Sequence, residues 1–177
     1  MGPAFQSPTR DREGRKEKEM IDDLIRSLQG NTRFDRYTVR VALVREPPAP
    51  SQRAPLLDRP EIVYEVFRPM ASLDRECVAV ALLDARNRLV GIHAVHVGTT
   101  THSVVGPGDV FKAAILANAH AIVLVHNHPS GDPTPSSDDV DLTHRLKSAG
   151  QLLNINVLDH VVVAHDGFVS LRQRGVI

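Results

Sequence analysis

One segment constrains the fold more than any other. Ala121 to Val125 is wholly apolar, His126-Asn127-His128 follows without a break, and Pro129, Gly131, Pro133 and Pro135 then lead to Ser136 and Asp139. A short apolar run with no polar alternation is expected as a strand in the middle of a sheet. Side chains two apart on a strand project from the same face, so His126 and His128 can reach one ion. The prolines and the glycine disfavour further strand and favour a compact loop, which returns the chain to a helix start whose first turn holds Ser136 and Asp139. A carboxylate there can supply a third ligand. Three protein ligands leave a fourth position on zinc for water, the pattern of a catalytic site, whereas structural zinc sites are usually closed by four. Each piece also has a plainer reading. Two histidines at this spacing fit an exposed pair, and Ser136-x-x-Asp139 is a capping box in its own right. The capping and ligand readings are compatible, because the cap fixes the position of the acid whichever role it has.

The remaining chain supplies a sheet and helices to hold this segment. Tyr37 to Val44 reads as a strand with Tyr37, Val39, Val41 and Leu43 on one face, and Pro47, Pro48, Pro50, Ser51 and Pro55 make a loop after it. Asp58, Pro60 and Glu61 mark a helix start, with Ile62, Val63, Val66 and Phe67 as an apolar stripe up to about Met70. Glu76 to Asp84 and Leu89 to Val97 are apolar runs joined by Ala85-Arg86-Asn87-Arg88, a hairpin pattern. After Gly106, Pro107 and Gly108, Asp109 is expected to cap a helix running to about His120. Ser136 or Ser137 is expected to start another that Gly150 ends as its C-terminal glycine. Val157 to Ala164, the turn His165-Asp166-Gly167, and Phe168 to Leu171 make a closing hairpin. The order strand, helix, hairpin, helix, strand, helix, hairpin predicts an α/β fold, an α+β sandwich in which helices flank a mixed central β-sheet.

At 177 residues the chain fits one core with a tail, since an ordinary core needs roughly 100 to 150 residues. Residues 1–34 alternate basic and acidic side chains before Ile21, Leu24, Ile25 and Leu28, and are expected to be a charged, mostly disordered arm. Residues 35–57 hold the first strand and the Pro-rich loop, and 58–177 the compact domain. Only 4% of residues are aromatic and Trp is absent, so the core has to be built from Val, Ile, Leu and Ala. Lys plus Arg equals Asp plus Glu at 21 each, which removes the global field that draws a strongly basic domain to nucleic acid. With Cys77 alone, an intrachain disulfide and a multi-cysteine zinc site are excluded, and any metal must be held by His and carboxylates. No stretch approaches the ~18 apolar residues of a membrane span, and charges stand where a signal peptide needs its apolar region. The expected location is therefore the cytoplasm, with no membrane partner.

His126-x-His128, seven residues, Ser136, two residues and Asp139, with a glutamate upstream, resembles the JAMM signature of the JAB/MPN family. The run from His126 to Ser136 is similar to its RadC-like branch in particular. The resemblance extends from about Phe67 to Ile177 through Phe67-Arg68-Pro69, Leu83-Asp84, Phe111-Lys112-Ala113-Ala114, Leu158-Asp159-His160 and Ser170-Leu171. It implies a JAB/MPN (cytidine-deaminase-like) fold and a zinc-dependent hydrolase acting on peptide or isopeptide bonds, with one zinc ion held by His126, His128 and Asp139. Glu76 occupies the place of the family's catalytic glutamate. In that role it takes a proton from the attacking water, whose pKa zinc lowers towards ~7, and hands it to the leaving amine. Ser136 would donate to the oxyanion on the scissile carbonyl. By spacing alone Glu61, Glu65 and Glu13 remain alternatives to Glu76. Two departures stand out. RadC-like sequences usually begin the helix before the histidine strand with Pro-Arg-Glu, where this chain has Pro107-Gly108-Asp109, and the longer ones carry a helix-hairpin-helix module that is not seen here.

His160 beside Asp159, and Asp132 in the loop, are candidates to orient a ligand from behind, while His93, His96, His102, His120, His144 and His165 have no partner pattern. The substrate expected is a peptide or protein. A different class of function is a metal-stabilised, non-catalytic module that acts in a DNA-associated setting through Arg10, Arg12, Arg15, Lys16 and Lys18, although the interspersed acids argue against tight phosphate binding. A nuclease reading of His126-Asn127-His128 is disfavoured, because that motif spreads its residues over a longer ββα unit.

Overall fold

The structure, a computed structural model, describes residues 54–97 and 105–177. The expected arm at 1–34, the strand at 37–44, most of the Pro-rich loop, Glu13 and His102 lie outside the described residues.

Among the described residues five strands, β1 (Cys77–Leu83), β2 (Leu89–Val97), β3 (Ala121–Asn127), β4 (Asn156–Ala164) and β5 (Gly167–Ser170), form one sheet in the order β2-β1-β3-β4-β5. The β3–β4 pair is parallel and the other three pairs are antiparallel, so the sheet is mixed. A parallel pair cannot be closed by a tight turn and needs a crossover. Helix α3 (Ser137–Leu153) supplies it. Period-2 alternation then sorts the side chains between two faces. Val78, Val80, Ile122 and Leu124 pack with Val110 and Phe111 of α2 (Pro107–Leu116) and Leu146 of α3. Ala79, Ala81, Val123 and Val125 pack with Val63 and Phe67 of α1 (Pro60–Phe67). With helices on both faces, β1 and β3 are buried along their whole length, which is why both read as continuous apolar runs. Among the described residues no helix is long and apolar enough to cross a membrane.

Element ends differ from expectation where a distant contact or a single backbone group decides. The first helix gives way at Phe67 to a 3-10 turn, Arg68–Ser72, because Pro69 lacks the N–H for an α-helical bond and its ring would meet a carbonyl four residues back. The cap of α2 is Gly106; Asp109 serves from the first turn, its Oδ2 accepting from the Gly106 N–H at 3.2 Å. That helix stops at Leu116, short of His120, because Asn118 turns left-handed at φ 50° and the N–H groups of Asn118 and Ala119 bond back to the Ile115 and Ala114 carbonyls. Likewise α3 runs through Gly150 to Leu153, and Asn154 at φ 54° provides the left-handed residue expected of Gly150. Gly150 is required for another reason: a Cβ there would lie 2.5 Å from the Ile155 carbonyl oxygen.

Candidate metal centre

Strand β3 ends where the sheet meets the loop, and its alternation turns His126 to the same face as Ile122 and Leu124, beneath α3. His128, two residues on, follows it, its N–H still bonded to the Val163 carbonyl of β4 at 3.0 Å. The loop then folds back through Gly131 at φ 90°, and the Asp132 carboxylate closes a local turn on the Thr134 N–H at 2.9 Å. This delivers Ser136 as the N-cap of α3. Its Oγ accepts from the Asp139 N–H at 3.2 Å, while its own N–H and hydroxyl both donate to Asp139 Oδ2 at 2.7 Å. The reciprocal cap therefore also orients the carboxylate, and Oδ1 is left 3.2 Å from His126 Nε2.

The outcome is one cluster. One ligand-type atom each from His126, His128 and Asp139 lies within 4.8 Å of the others, and the two Nε2 atoms are 2.9 Å apart. The far side of each imidazole is already committed. His128 Nδ1 lies 2.8 Å from the Asp132 carbonyl oxygen, which can only accept, so Nδ1 carries the hydrogen and Nε2 a lone pair. His126 Nδ1 lies 2.8 Å from His160 Nε2, and His160 Nδ1 lies 2.6 Å from Thr143 Oγ1, whose hydroxyl donates to the Asp139 carbonyl at 2.6 Å. With the Thr143 hydrogen spent on that carbonyl, His160 Nδ1 must donate to Thr143. His160 Nε2 then accepts, and His126 Nδ1 donates. Burial pushes the His160 pKa down to about 3, which keeps it neutral in this chain of bonds.

Three lone-pair atoms thus converge with no hydrogen of their own to share, an arrangement that suits a cation. Without one, a proton must serve, and the hydrogen bond to Asp139 raises the His128 pKa above its ordinary value. Burial pushes the Asp139 carboxyl up, but the adjoining His126 and His128 rings and the hydrogen bond from Ser136 outweigh it and hold the group well below the usual carboxylate range. The donor set, two imidazole nitrogens and a carboxylate oxygen whose outer atoms are all hydrogen-bonded, fits a divalent metal.

The other candidates separate by position. Glu76 is exposed, immediately before β1, and its charge contributes to raising the His128 pKa. Glu61 and Glu65 lie on α1, which covers the opposite face of the sheet. Asp132 orients His128 with its backbone carbonyl and not with its carboxylate. His160 meets His126 through its ring, while Asp159 turns away to accept from Ser170 Oγ and the Arg172 N–H. Sequence reasoning missed Thr143, whose contribution follows from α3 passing over β4. It also missed Asn127, read only as the spacer between the histidines.

A family profile described as the RadC-like JAB domain matches residues 57–176. The chain is also similar to curated proteins named UPF0758 protein. One from Symbiobacterium thermophilum is 47% identical over 135 residues, 76% of this chain and 57% of that protein. One from Desulfitobacterium hafniense is 46% identical over 124 residues, 70% of this chain and 55% of that protein. One from Thermotoga maritima is 45% identical over 119 residues, 67% of this chain and 54% of that protein. The chain spans slightly more than half the length of these relatives.

Proposed function

The chain belongs to the RadC-like JAB domain family, and from that premise we propose that it is a zinc-dependent hydrolase that cleaves a peptide or isopeptide bond. One observation carries the reading: His126 Nε2, His128 Nε2 and the Asp139 carboxylate converge within 4.8 Å with lone pairs inward. These three residues hold the metal, and three protein ligands leave it an open position. When bound, zinc supplies Lewis-acid chemistry, making water more acidic and polarising a carbonyl.

Glu76 takes the proton of the attacking water and returns it to the leaving amine. Its exposure at the start of β1 leaves the carboxylate free to meet both water and substrate. Ser136 stabilises the oxyanion by turning its hydroxyl away from Asp139 Oδ2, an oxygen that its backbone N–H continues to hold at 2.7 Å. The buried chain from His126 through His160 to Thr143 keeps the His126 lone pair aimed at the metal.

The test is hydrolysis of peptide and isopeptide substrates by zinc-loaded protein. Glu76→Gln should lower the rate by about 10²- to 10⁴-fold while leaving the metal content unchanged. Equal rates in wild type and Glu76→Gln would reject the mechanism.

A further inference from the structure

We propose that Asn127 is a positioning residue that fixes Glu76 through the main chain on either side of it, an inference that rests on the catalytic reading of Glu76 above. Asn127 is the last residue of β3, and strand alternation turns its side chain away from the two histidines that flank it. It is completely buried, at 0% exposure. Its Oδ1 accepts from the Cys77 N–H at 2.8 Å, and its Nδ2 donates to the Arg75 carbonyl at 3.0 Å. The residues so held are the two neighbours of Glu76.

The sheet register explains what this achieves. In the β1–β3 ladder Val78 pairs with His126, and carrying that antiparallel register two residues further sets Glu76 opposite His128. The same alternation gives Glu76 the face of Val78, the face of the histidines. The paired positions stop at Val78 and His126, so Glu76 lies beyond the last rung. The Asn127 side chain takes over there as a substitute peptide group, offering one donor and one acceptor at amide spacing. Asp lacks the donor, Ser and Thr offer a single atom, and Gln is longer by a methylene. One residue therefore spaces the two histidines with its backbone and clamps the glutamate segment with its side chain, so that metal ligands and base keep a fixed separation.

Cobalt(II)-substituted protein provides the test, because its visible absorption reports the metal's surroundings as pH is varied without any substrate. Glu76→Gln should shift the midpoint of the pH-dependent spectral change. Asn127→Ala and Asn127→Leu, the latter filling the same volume, should shift it in the same direction with about one cobalt still bound per chain. The double variant Asn127→Leu/Glu76→Gln should match Glu76→Gln alone, since Asn127 acts only through Glu76. A midpoint that moves with Glu76→Gln and stays at the wild-type value in both Asn127 variants would overturn the inference and leave the proposed function standing. A midpoint unmoved by Glu76→Gln would remove the catalytic reading of Glu76 and the inference with it. Loss of cobalt from both Asn127 variants would also overturn it, because Asn127 would then be holding the metal-binding fold and not the glutamate alone.

Discussion

Replacing His160 with Gln should remove a specific acid sensitivity from the fold. His160 is 1% exposed and bridges His126 and Thr143 with both ring nitrogens, and its pKa falls from 6.5 to about 3 because burial penalises the imidazolium. The folded value lies below the unfolded one, so between the two the unfolded chain binds the extra proton. The stabilising contribution is therefore complete above pH 6.5 and is lost as pH falls towards 3. At ~1.4 kcal/mol per unit, the loss at about pH 4 is about 3 kcal/mol, a large share of the roughly 5 to 15 kcal/mol that holds a typical domain together. Gln does not titrate, and its amide can accept from His126 Nδ1 and donate to Thr143 Oγ1. Urea unfolding of chelator-treated protein at about pH 7 and about pH 4 isolates the effect from metal release, and wild type should lose about 3 kcal/mol more than His160→Gln. Equal losses in the two proteins would refute the argument that His160 is held neutral.

Gly150→Ala tests the close approach of α3 to β4. The ~1 kcal/mol that Ala ordinarily gains over Gly inside a helix is outweighed by an overpacking cost of about 1 to 3 kcal/mol, because the new Cβ would lie 2.5 Å from the Ile155 carbonyl oxygen. A lower Tm is expected, and a raised Tm would contradict the packing. Metal affinity should depend on pH through His128, whose pKa the Asp139 hydrogen bond raises above 6.5. Below that raised value a proton competes for Nε2, and apparent affinity should fall by about tenfold per pH unit, levelling off above it. Competition titration against a chelator of known affinity measures this, and a flat profile from about pH 5 to 8 would show that His128 Nε2 is not a ligand.

What was legible in the sequence was governed by local rules. The period of 2 gives His126 and His128 a common face, the continuous apolar character of Ala121 to Val125 marks a central strand, and the Ser136–Asp139 box marks a helix start. The mixed sheet with flanking helices followed from those elements in order, and the family from the resemblance carried by His126, His128, Ser136 and Asp139. What was not legible depends on residues far apart in the chain. Gly150 looks like a helix terminator until Ile155, Val157 and Phe111 are brought against it. Asn118 and Asn154 end their helices because their side chains tolerate a left-handed backbone, which a search for glycine overlooks. Thr143 and His160 are 17 residues apart and meet only because α3 crosses over to β4. Asn127 was hidden by its own neighbours, since alternation predicts that it faces away from the metal site but says nothing of the 50 residues that separate it from Cys77.

The most direct test of the central claim is metal content by elemental analysis of wild type and His128→Ala, both purified without added zinc or chelator. About one zinc per chain in wild type and little in the variant is the expected result, because three converging ligands bind far more tightly than two. No zinc in either protein, or equal zinc in both, would show that His126, His128 and Asp139 do not form a zinc site.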